Sequence, residues 1–115
     1  MAERLHVTIQ IPAEGVPSTA DVAVYVEDVS RADAPAGVLA ERRERRVRLK
    51  PGGTLSLDVV IPTENMDQRR SYSVRVHVDS SGSGEIEKGD LVSTQAHPVL
   101  TQGYGREVTV PVKKV

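Results

Sequence analysis

The sequence predicts an all-β domain, an antiparallel β-sandwich of about seven strands. Hydrophobic and polar residues alternate in segment after segment, and Pro, Gly, Ser and Asp separate the segments, which is typical of sandwiches and barrels. The chain has nineteen valines and no Phe or Trp, so side chains that favour pleated strands fill the interior. No gap carries a helical pattern, so we expect antiparallel pairing, because parallel strands need long crossovers. A small barrel is the alternative architecture.

The length of 115 residues predicts one domain over residues 1–115, since two cores of half this size would be too small to be stable. The first two predicted strands are "RLHVTIQI" and "ADVAVYVEDV". Every second residue of a strand points to the same face. The predicted inward residues are Leu5, Val7, Ile9 and Ile11 in the first strand and Val22, Val24 and Val26 in the second.

The stretch "GVLAERRERRVRL" at residues 37–49 carries a run of arginines. A helix could not gather its few apolar residues into one stripe, whereas a strand places Leu39, Val47 and Leu49 on one face. Under strict alternation, the residues on the same face between Leu39 and Val47 are Glu41, Arg43 and Arg45. Polar residues there indicate an edge strand, a bulge or a break between two strands.

Two interpretations of the arginine run remain open. The arginines are either the solvated side of an edge strand or a site for an anionic partner. The candidate partner-binding edge consists of Arg43, Arg45, Arg46 and Arg48.

The second half of the chain predicts further strands at "TLSLDVVIP" and "SYSVRVHV". In the latter, Tyr72, Val74, Val76 and Val78 point inward. "DSSGSGEIEKGD" is predicted as a flexible loop or hairpin, "LVSTQAH" as a strand of uncertain length and "REVTVPVKKV" as the last strand. Pro111 lacks an N–H group, so it should lie at a sheet edge or near the end of its strand.

Charge and cysteine content exclude several functions. The formal net charge of -1 argues against nucleic acid or an anionic membrane as a partner. No stretch is long enough to insert across a bilayer, and the absence of Cys excludes disulfides and thiolate chemistry. We expect a cytoplasmic protein if the sequence is complete, and a cell-envelope protein if it is a mature region.

Catalytic and metal motifs are missing from the sequence. His6 and His77 have outward parity and should be exposed, and His97 precedes a proline in a predicted turn. Neither an H-E-x-x-H nor a G-x-S-x-G motif is present. We therefore predict no enzyme activity, no catalytic residue, no cofactor and no metal ligand.

Acidic residues in the loops leave one alternative open. Glu85, Glu87 and Asp90 cluster in "GEIEKGD", and Asp28 and Asp33 flank the arginine stretch. Calcium prefers such oxygen ligands, but the spacing of an EF-hand is absent and loop carboxylates are usually solvated. A calcium site in these loops stays a minor alternative.

The segment "DVSRADAPAG" is predicted to form a corner after the second strand. Ser30 and Asp33 can cap nearby N–H groups, and Pro35 with Gly37 can redirect the chain. Loops on a rigid sandwich often carry function, so residues 28–37 and 98–105 are the secondary places to look for a binding site.

Two longer stretches resemble a known family. "ADVAVYVEDVSRADAPAGVLAE" and "SYSVRVHVDSSGSGEIEKGDLVSTQAHPVLTQG" are similar to the YbaY/YscW family of small bacterial β-sandwich domains, over about residues 4–112. The most specific parts are "VEDVSRADAP" and "PVLTQG". The resemblance implies an immunoglobulin-like or transthyretin-like sandwich related to the lipoprotein chaperones, or pilotins, of type III secretion systems.

The resulting hypothesis is a non-enzymatic protein-interaction or chaperone-like module. Strand addition at an exposed edge is the simplest mechanism, because main-chain groups there lack partners. The alternative is a small-ligand or carbohydrate-binding domain, which requires a concave pocket with exposed Tyr.

Overall fold

The computed structural model describes residues 2–30 and 37–115, and within them the chain forms nine β-strands and one short 3₁₀ helix. The strands are β1 (Ala2–Gln10), β2 (Thr19–Asp28), β3 (Gly37–Arg48), β4 (Thr54–Pro62), β5 (Tyr72–Asp79), β6 (Leu91–Val92), β7 (Pro98–Val99), β8 (Glu107–Pro111) and β9 (Lys113–Lys114), and the helix spans Thr63–Asn65. The all-β prediction is confirmed. The last predicted strand, "REVTVPVKKV", divides into β8 and β9. The predicted strand "LVSTQAH" forms β6 only at its first two residues, and β7 begins directly after it.

Within the described ranges, no helix has the length and apolar character needed to cross a membrane.

Two sheets form the sandwich. The smaller sheet has the order β4-β1-β8, and the larger sheet has the order β3-β2-β5-β6-β9, with β7 also paired to β5. β1 pairs antiparallel with β4 along its whole length, from Ala2 opposite Pro62 to Gln10 opposite Thr54. β2 lies between β3 and β5, and both pairings are antiparallel. The sandwich architecture predicted from the alternation is therefore confirmed.

One strand pair corrects the expectation of purely antiparallel pairing. β8 pairs parallel with β1, with His6 opposite Glu107 and Gln10 opposite Pro111. Parallel neighbours need a long connection, and here most of the domain serves as that connection, so no crossover helix is required. β8 ends one side of its sheet, and Pro111 is its last residue, which confirms the prediction for this proline.

The core lies between the sheets and consists mainly of β-branched residues. Every inward position predicted for β1, β2 and β5 is buried. Among the described residues, the largest fully buried side chains are those of Leu5, Val7, Ile9, Val22, Val24, Val26, Val59, Ile61, Val74, Val76, Val78 and Leu91. Each contributes about 1.5–3 kcal/mol of transfer free energy on burial, so alternation in the sequence determines which face of each strand packs inward.

Part of the outer face of β5 is also covered, which the alternation does not predict. Ser73, His77 and Asp79 are buried although they point away from the core. Residues 80–90 fold back over this face, and β6 pairs with β5 at His77 and Val78. The prediction that His77 is exposed is therefore wrong, because a loop covers the polar side of its strand.

Candidate functional site

β3 is an edge strand of the larger sheet, as the arginine run predicts, and β9 lies at the opposite edge. It pairs with β2 on one side, and on its other side it has no backbone ladder with another described strand. In an antiparallel pair, alternate residues direct their N–H and C=O groups away from the partner strand. β3 therefore presents unpaired backbone groups along this side, next to β4 of the smaller sheet.

Two β-bulges set which β3 side chains point inward. The register shifts between Ala20 and Val22 and again between Val26 and Glu27 of β2, and at each shift β3 contains one extra residue. Arg46 lies in the first bulge with φ of 52°. Its backbone N–H donates to Asp21 Oδ1 at 3.0 Å. This side-chain hydrogen bond replaces the ladder hydrogen bond that an N–H group loses in a bulge.

The bulges correct the predicted parity of the strand. Glu41, Arg43 and Arg45 do not share the inward face of Val47. Instead, Arg42 lies opposite Val24 and Glu44 opposite Val22, so both point toward the inner side. A bulge shifts the side-chain period by one residue, which is why strict alternation assigns these charges to the wrong faces.

Arg43, the first residue of the candidate partner-binding edge, already has partners within the protein. Its Nη2 donates to the hydroxyl oxygen of Tyr25 at 3.1 Å, and its Nε donates to Glu41 at 3.3 Å. The Glu41 carboxylate and the Tyr25 hydroxyl raise the pKa of Arg43. Arg75 stacks over the Tyr25 ring at 4.2 Å from its centroid. This side chain belongs to a network on the outer face of β2, β3 and β5.

The other three candidate residues lie together and lack ionic partners. Arg45, Arg46 and Arg48 are exposed, and their side chains form no ion pair with any described residue. Lys50, just past the end of β3, is likewise exposed and unpaired within the described ranges. Four cations that form no ion pair among the described residues therefore follow the C-terminal half of β3 into the turn before β4. We call this group the basic edge: Arg45, Arg46, Arg48 and Lys50.

Arg42, which the sequence does not distinguish from its neighbours, connects the two sheets. Its Nη1 donates to the backbone carbonyl of Asp58 in β4 at 2.8 Å. Its Nε donates to Glu44 at 3.0 Å, and the two side chains form an ion pair. Arg42 thus satisfies an acceptor on the free edge of β4. The surrounding sequence "ERRERR" contains no pattern that distinguishes Arg42 from the arginines that face solvent.

A buried polar cluster holds the loop at residues 80–90. His77 Nε2 and Asp90 Oδ2 lie 2.8 Å apart, and neither side chain is more than slightly exposed. Asp90 Oδ1 accepts from the backbone N–H and the hydroxyl of Ser80, and Asp90 Oδ2 accepts from the Glu87 N–H. The predicted loop is therefore present, and it is anchored at its base by one carboxylate.

Asp79 anchors the tip of the same loop. Its Oδ1 accepts from the Gly82 N–H at 2.9 Å, and its Oδ2 accepts from the Gly84 N–H at 2.7 Å. Burial tends to raise the pKa of Asp79, but these N–H groups and the Ser81 hydroxyl outweigh it, so the pKa is lowered. The two aspartates fix a Gly- and Ser-rich segment that has little apolar content of its own.

The electrostatics of Asp90 show how strongly this loop depends on its ionised form. Burial opposes ionisation, yet hydrogen bonds from His77, the Glu87 N–H and Ser80 lower the pKa of Asp90 to about 2. A carboxylate that accepts several hydrogen bonds is stabilised as the anion. At neutral pH the group is charged and fully bonded.

The cluster could offer metal ligands, but its oxygens are already in use. Potential ligand atoms of His77, Asp79 and Asp90 lie within 4.8 Å of one another. All four carboxylate oxygens accept hydrogen bonds from the protein. The sequence cluster of Glu85, Glu87 and Asp90 does not converge on one point, since Glu85 and Glu87 are exposed while Asp90 is buried. The arrangement fits a loop anchor.

The three histidines do not come together. His6 lies in β1 of the smaller sheet and is half exposed, with Nδ1 at 2.7 Å from Asp58 Oδ1. His77 lies in the larger sheet. His97 precedes β7 and its Nε2 is buried without a hydrogen-bond partner among the described residues. Burial lowers the pKa of His97, which favours the neutral ring.

The corner after β2 is described only in part. Ser30 Oγ accepts from the Ser71 N–H at 2.8 Å, and Arg70 pairs with Asp28 at 2.7 Å. Ser30 therefore caps an N–H group that is distant in sequence. The predicted roles of Asp33 and Pro35 lie outside the described residues.

The tyrosines do not form a sugar-binding platform. Tyr72 is buried, and Tyr25 is covered by Arg75. A cavity of about 160 Å³ beside Tyr25 is below the range of about 300–1,000 Å³ typical of small-ligand sites. A more open groove of about 900 Å³ is lined by several charged residues, such as Asp67 and Arg70, and the buried Tyr72 is the one tyrosine among its described lining residues. Tyr104 is exposed on a different loop.

Comparisons with known proteins agree with this architecture. An alternative pilotin from the type II secretion system of Vibrio cholerae has a similar fold, with a TM-score of 0.73 at 19% sequence identity, and the similarity covers 100% of both chains. A comparison with curated protein sequences gave no significant match. The family model of the type III secretion system lipoprotein chaperone YscW matches residues 2–112. The chain therefore belongs to the YscW family of secretion lipoprotein chaperones.

Proposed function

We propose that this chain is a non-enzymatic chaperone that binds another protein through the free edge of β3. Membership of a lipoprotein chaperone family supports a chaperone-like role in protein interaction, and the family description names no reaction. The similarity to a pilotin of a secretion system agrees with such a role. The family description also supports a location in the cell envelope.

The observation that carries the proposal is the coincidence of a free strand edge with positive charges that form no ion pair among the described residues. β3 has no ladder with another described strand on its outer side, and the basic edge lies along its C-terminal half. An added strand gains main-chain hydrogen bonds from such an edge, while side chains provide selectivity. Four unpaired cations attract an acidic partner and repel a basic one. The partner is therefore a protein with an acidic, extended segment.

A comparative pull-down tests this function. The bait variant R45E/R46E/R48E reverses three charges of the basic edge. The matched control R4E/K88E/K113E reverses three exposed cations that form no ion pair with any described residue and that lie elsewhere. Envelope extracts of a bacterium with a type III secretion system are passed over the wild type and both variants, and retained proteins are identified by mass spectrometry.

We expect at least one protein to be retained by the wild type and by the control, and to be lost with the edge variant. Equal retention of every protein on all three baits would overturn the β3 edge as the binding surface. Circular dichroism of the three baits confirms that each is folded before the comparison is made.

A further inference from the structure

A small apolar slot lies at the C-terminal end of β3, where the chain turns into β4. Ile11, Leu49 and Leu55 form its apolar lining, and Arg48, Lys50 and Thr54 complete it. Ile11 and Leu49 are buried, while Leu55 is partly exposed. The slot has a volume of about 270 Å³, just below the range of about 300–1,000 Å³ for small-molecule sites. Its size suits a single large side chain.

Backbone hydrogen bonds hold the walls of the slot in place. The Ile11 N–H donates to the Gly53 carbonyl at 2.9 Å, and the Gly52 N–H donates to the Pro12 carbonyl at 3.0 Å. The Leu49 N–H donates to the Ser18 carbonyl at 3.0 Å. A site that is already ordered loses little conformational entropy when it is filled. The slot therefore does not have to be created by its occupant.

The charge around the slot indicates what kind of segment carries that side chain. Arg48 and Lys50 flank the apolar lining, and both belong to the unpaired basic edge. A basic occupant would be repelled, and a neutral one would gain no electrostatic attraction from these exposed cations. Acidic residues on either side of an apolar one complement both features.

The geometry of strand addition brings these two features together. Val47 and Leu49 point toward the inner side of the larger sheet, and Leu55 points inward from β4, opposite Ile9. Side chains directly opposite each other on neighbouring strands lie on the same face. A segment paired with the end of β3 would therefore direct alternate side chains to the inner side, toward Leu49 and Leu55.

We propose that the slot receives one large aliphatic side chain from an acidic, extended segment of the partner protein. This inference rests on the proposed function and makes it more specific, because it identifies an apolar anchor beside the basic edge. Buried apolar anchors contribute a large share of interface energy, whereas rim charges contribute mainly to selectivity and association rate.

Selection of peptides from a random library tests the proposal without knowledge of the partner. Biotinylated wild-type protein is presented to a displayed library of random twelve-residue peptides, and bare beads remove background binders. We expect the enriched peptides to contain Leu, Ile or Met flanked by Asp or Glu. No enrichment over bare beads, or enriched peptides without this pattern, would overturn the slot.

Affinities of the best selected peptide for defined variants then locate its binding site. L55S removes an apolar wall, and T54E adds a negative charge at the rim without changing the core. Each should weaken binding about tenfold or more, L55S because a buried anchor loses its apolar contact and T54E because its charge repels the acidic residues that flank the anchor. V60S is the matched control, since Val60 lies in the same strand but is 57% exposed on the other face.

The variant R45E/R46E separates failure of the slot from failure of the proposed edge. Weakened binding with this variant but unchanged binding with L55S and T54E would retain the edge and overturn the slot. Unchanged binding with all three variants would overturn both. Thermal unfolding of L55S shows whether it remains folded. If it does not, L55A replaces it, because alanine shortens the apolar wall without placing a hydroxyl group in the slot.

Discussion

His77 Nε2 and Asp90 Oδ2 lie 2.8 Å apart beneath the loop at residues 80–90. This contact connects the outer face of a central strand to the end of the loop that covers it. Asp90 accepts three further hydrogen bonds, from Ser80 and from the Glu87 N–H. The loop is therefore held by a carboxylate that must be ionised to accept all four bonds.

Acid should weaken the fold through Asp90. Its pKa is lowered from the ordinary 3.8 to about 2, so the ionised form is favoured in the folded state. The resulting stabilisation, about 2 kcal/mol at 1.36 kcal/mol per pKa unit, is fully present above about pH 4. It is lost as the pH falls toward 2. Urea unfolding between pH 5 and pH 2 measures this decrease.

The variant D90N should be less stable than wild type by about 2 kcal/mol at pH 7, because an amide cannot accept all four hydrogen bonds. Its stability should fall less than that of wild type between pH 4 and pH 2. E85Q, a change in the exposed part of the same loop, serves as the control and should retain the acid dependence. An unchanged acid dependence in D90N would contradict the role of Asp90.

A side chain at Gly84 should destabilise the fold. It has φ of 85°, and its N–H donates to Asp79 Oδ2. A Cβ atom added there would meet nothing within 4 Å, so the cost is purely conformational. G84A should lower the free energy of unfolding by about 1–2 kcal/mol. G105A, also in open space but without a left-handed φ, is the control, and equal effects in urea unfolding would contradict this explanation.

Alternation in the sequence correctly predicts the core because the interior of the sandwich consists of the side chains on one face of each strand, which are every second residue. Val74 and Val76 are buried where period two places them. The charged character of residues 41–48 likewise predicts that β3 is an edge strand, since unpaired charges are rarely placed in central strands. Both features depend on a local pattern that a single sequence contains.

Features that depend on distant parts of the chain are not visible in that pattern. The bulge at Arg46 reverses the faces of Arg42 and Arg43, and only the pairing with β2 reveals it. His77 is buried because residues 80–90 fold over it. The slot combines Ile11, Leu49 and Leu55 from three separate segments, so no local motif indicates it.

Replacement of Val76 by Asp should unfold the domain. Val76 is completely buried in the centre of β5, and an unpaired charge there has no hydrogen-bond partner to offset its desolvation. We expect V76D to lack a cooperative transition in thermal unfolding followed by circular dichroism. V60D places the same charge at an exposed position of β4 and should change stability by less than about 0.5 kcal/mol. A cooperative transition in V76D near that of wild type would show that the assigned inward face of β5 is wrong.

Arg42 and Arg45 should differ in their effect on stability although they lie three residues apart in the same strand. Arg42 donates to the Asp58 carbonyl across the gap between the sheets and pairs with Glu44, whereas Arg45 is exposed and unpaired within the described residues. R42M keeps an apolar stem but removes the hydrogen bonds, so it should lower the free energy of unfolding by about 1 kcal/mol. R45M should change it by less than about 0.5 kcal/mol. Urea unfolding at pH 7 measures both values, and equal effects of the two substitutions would mean that the Arg42 bridge does not stabilise the contact between the sheets.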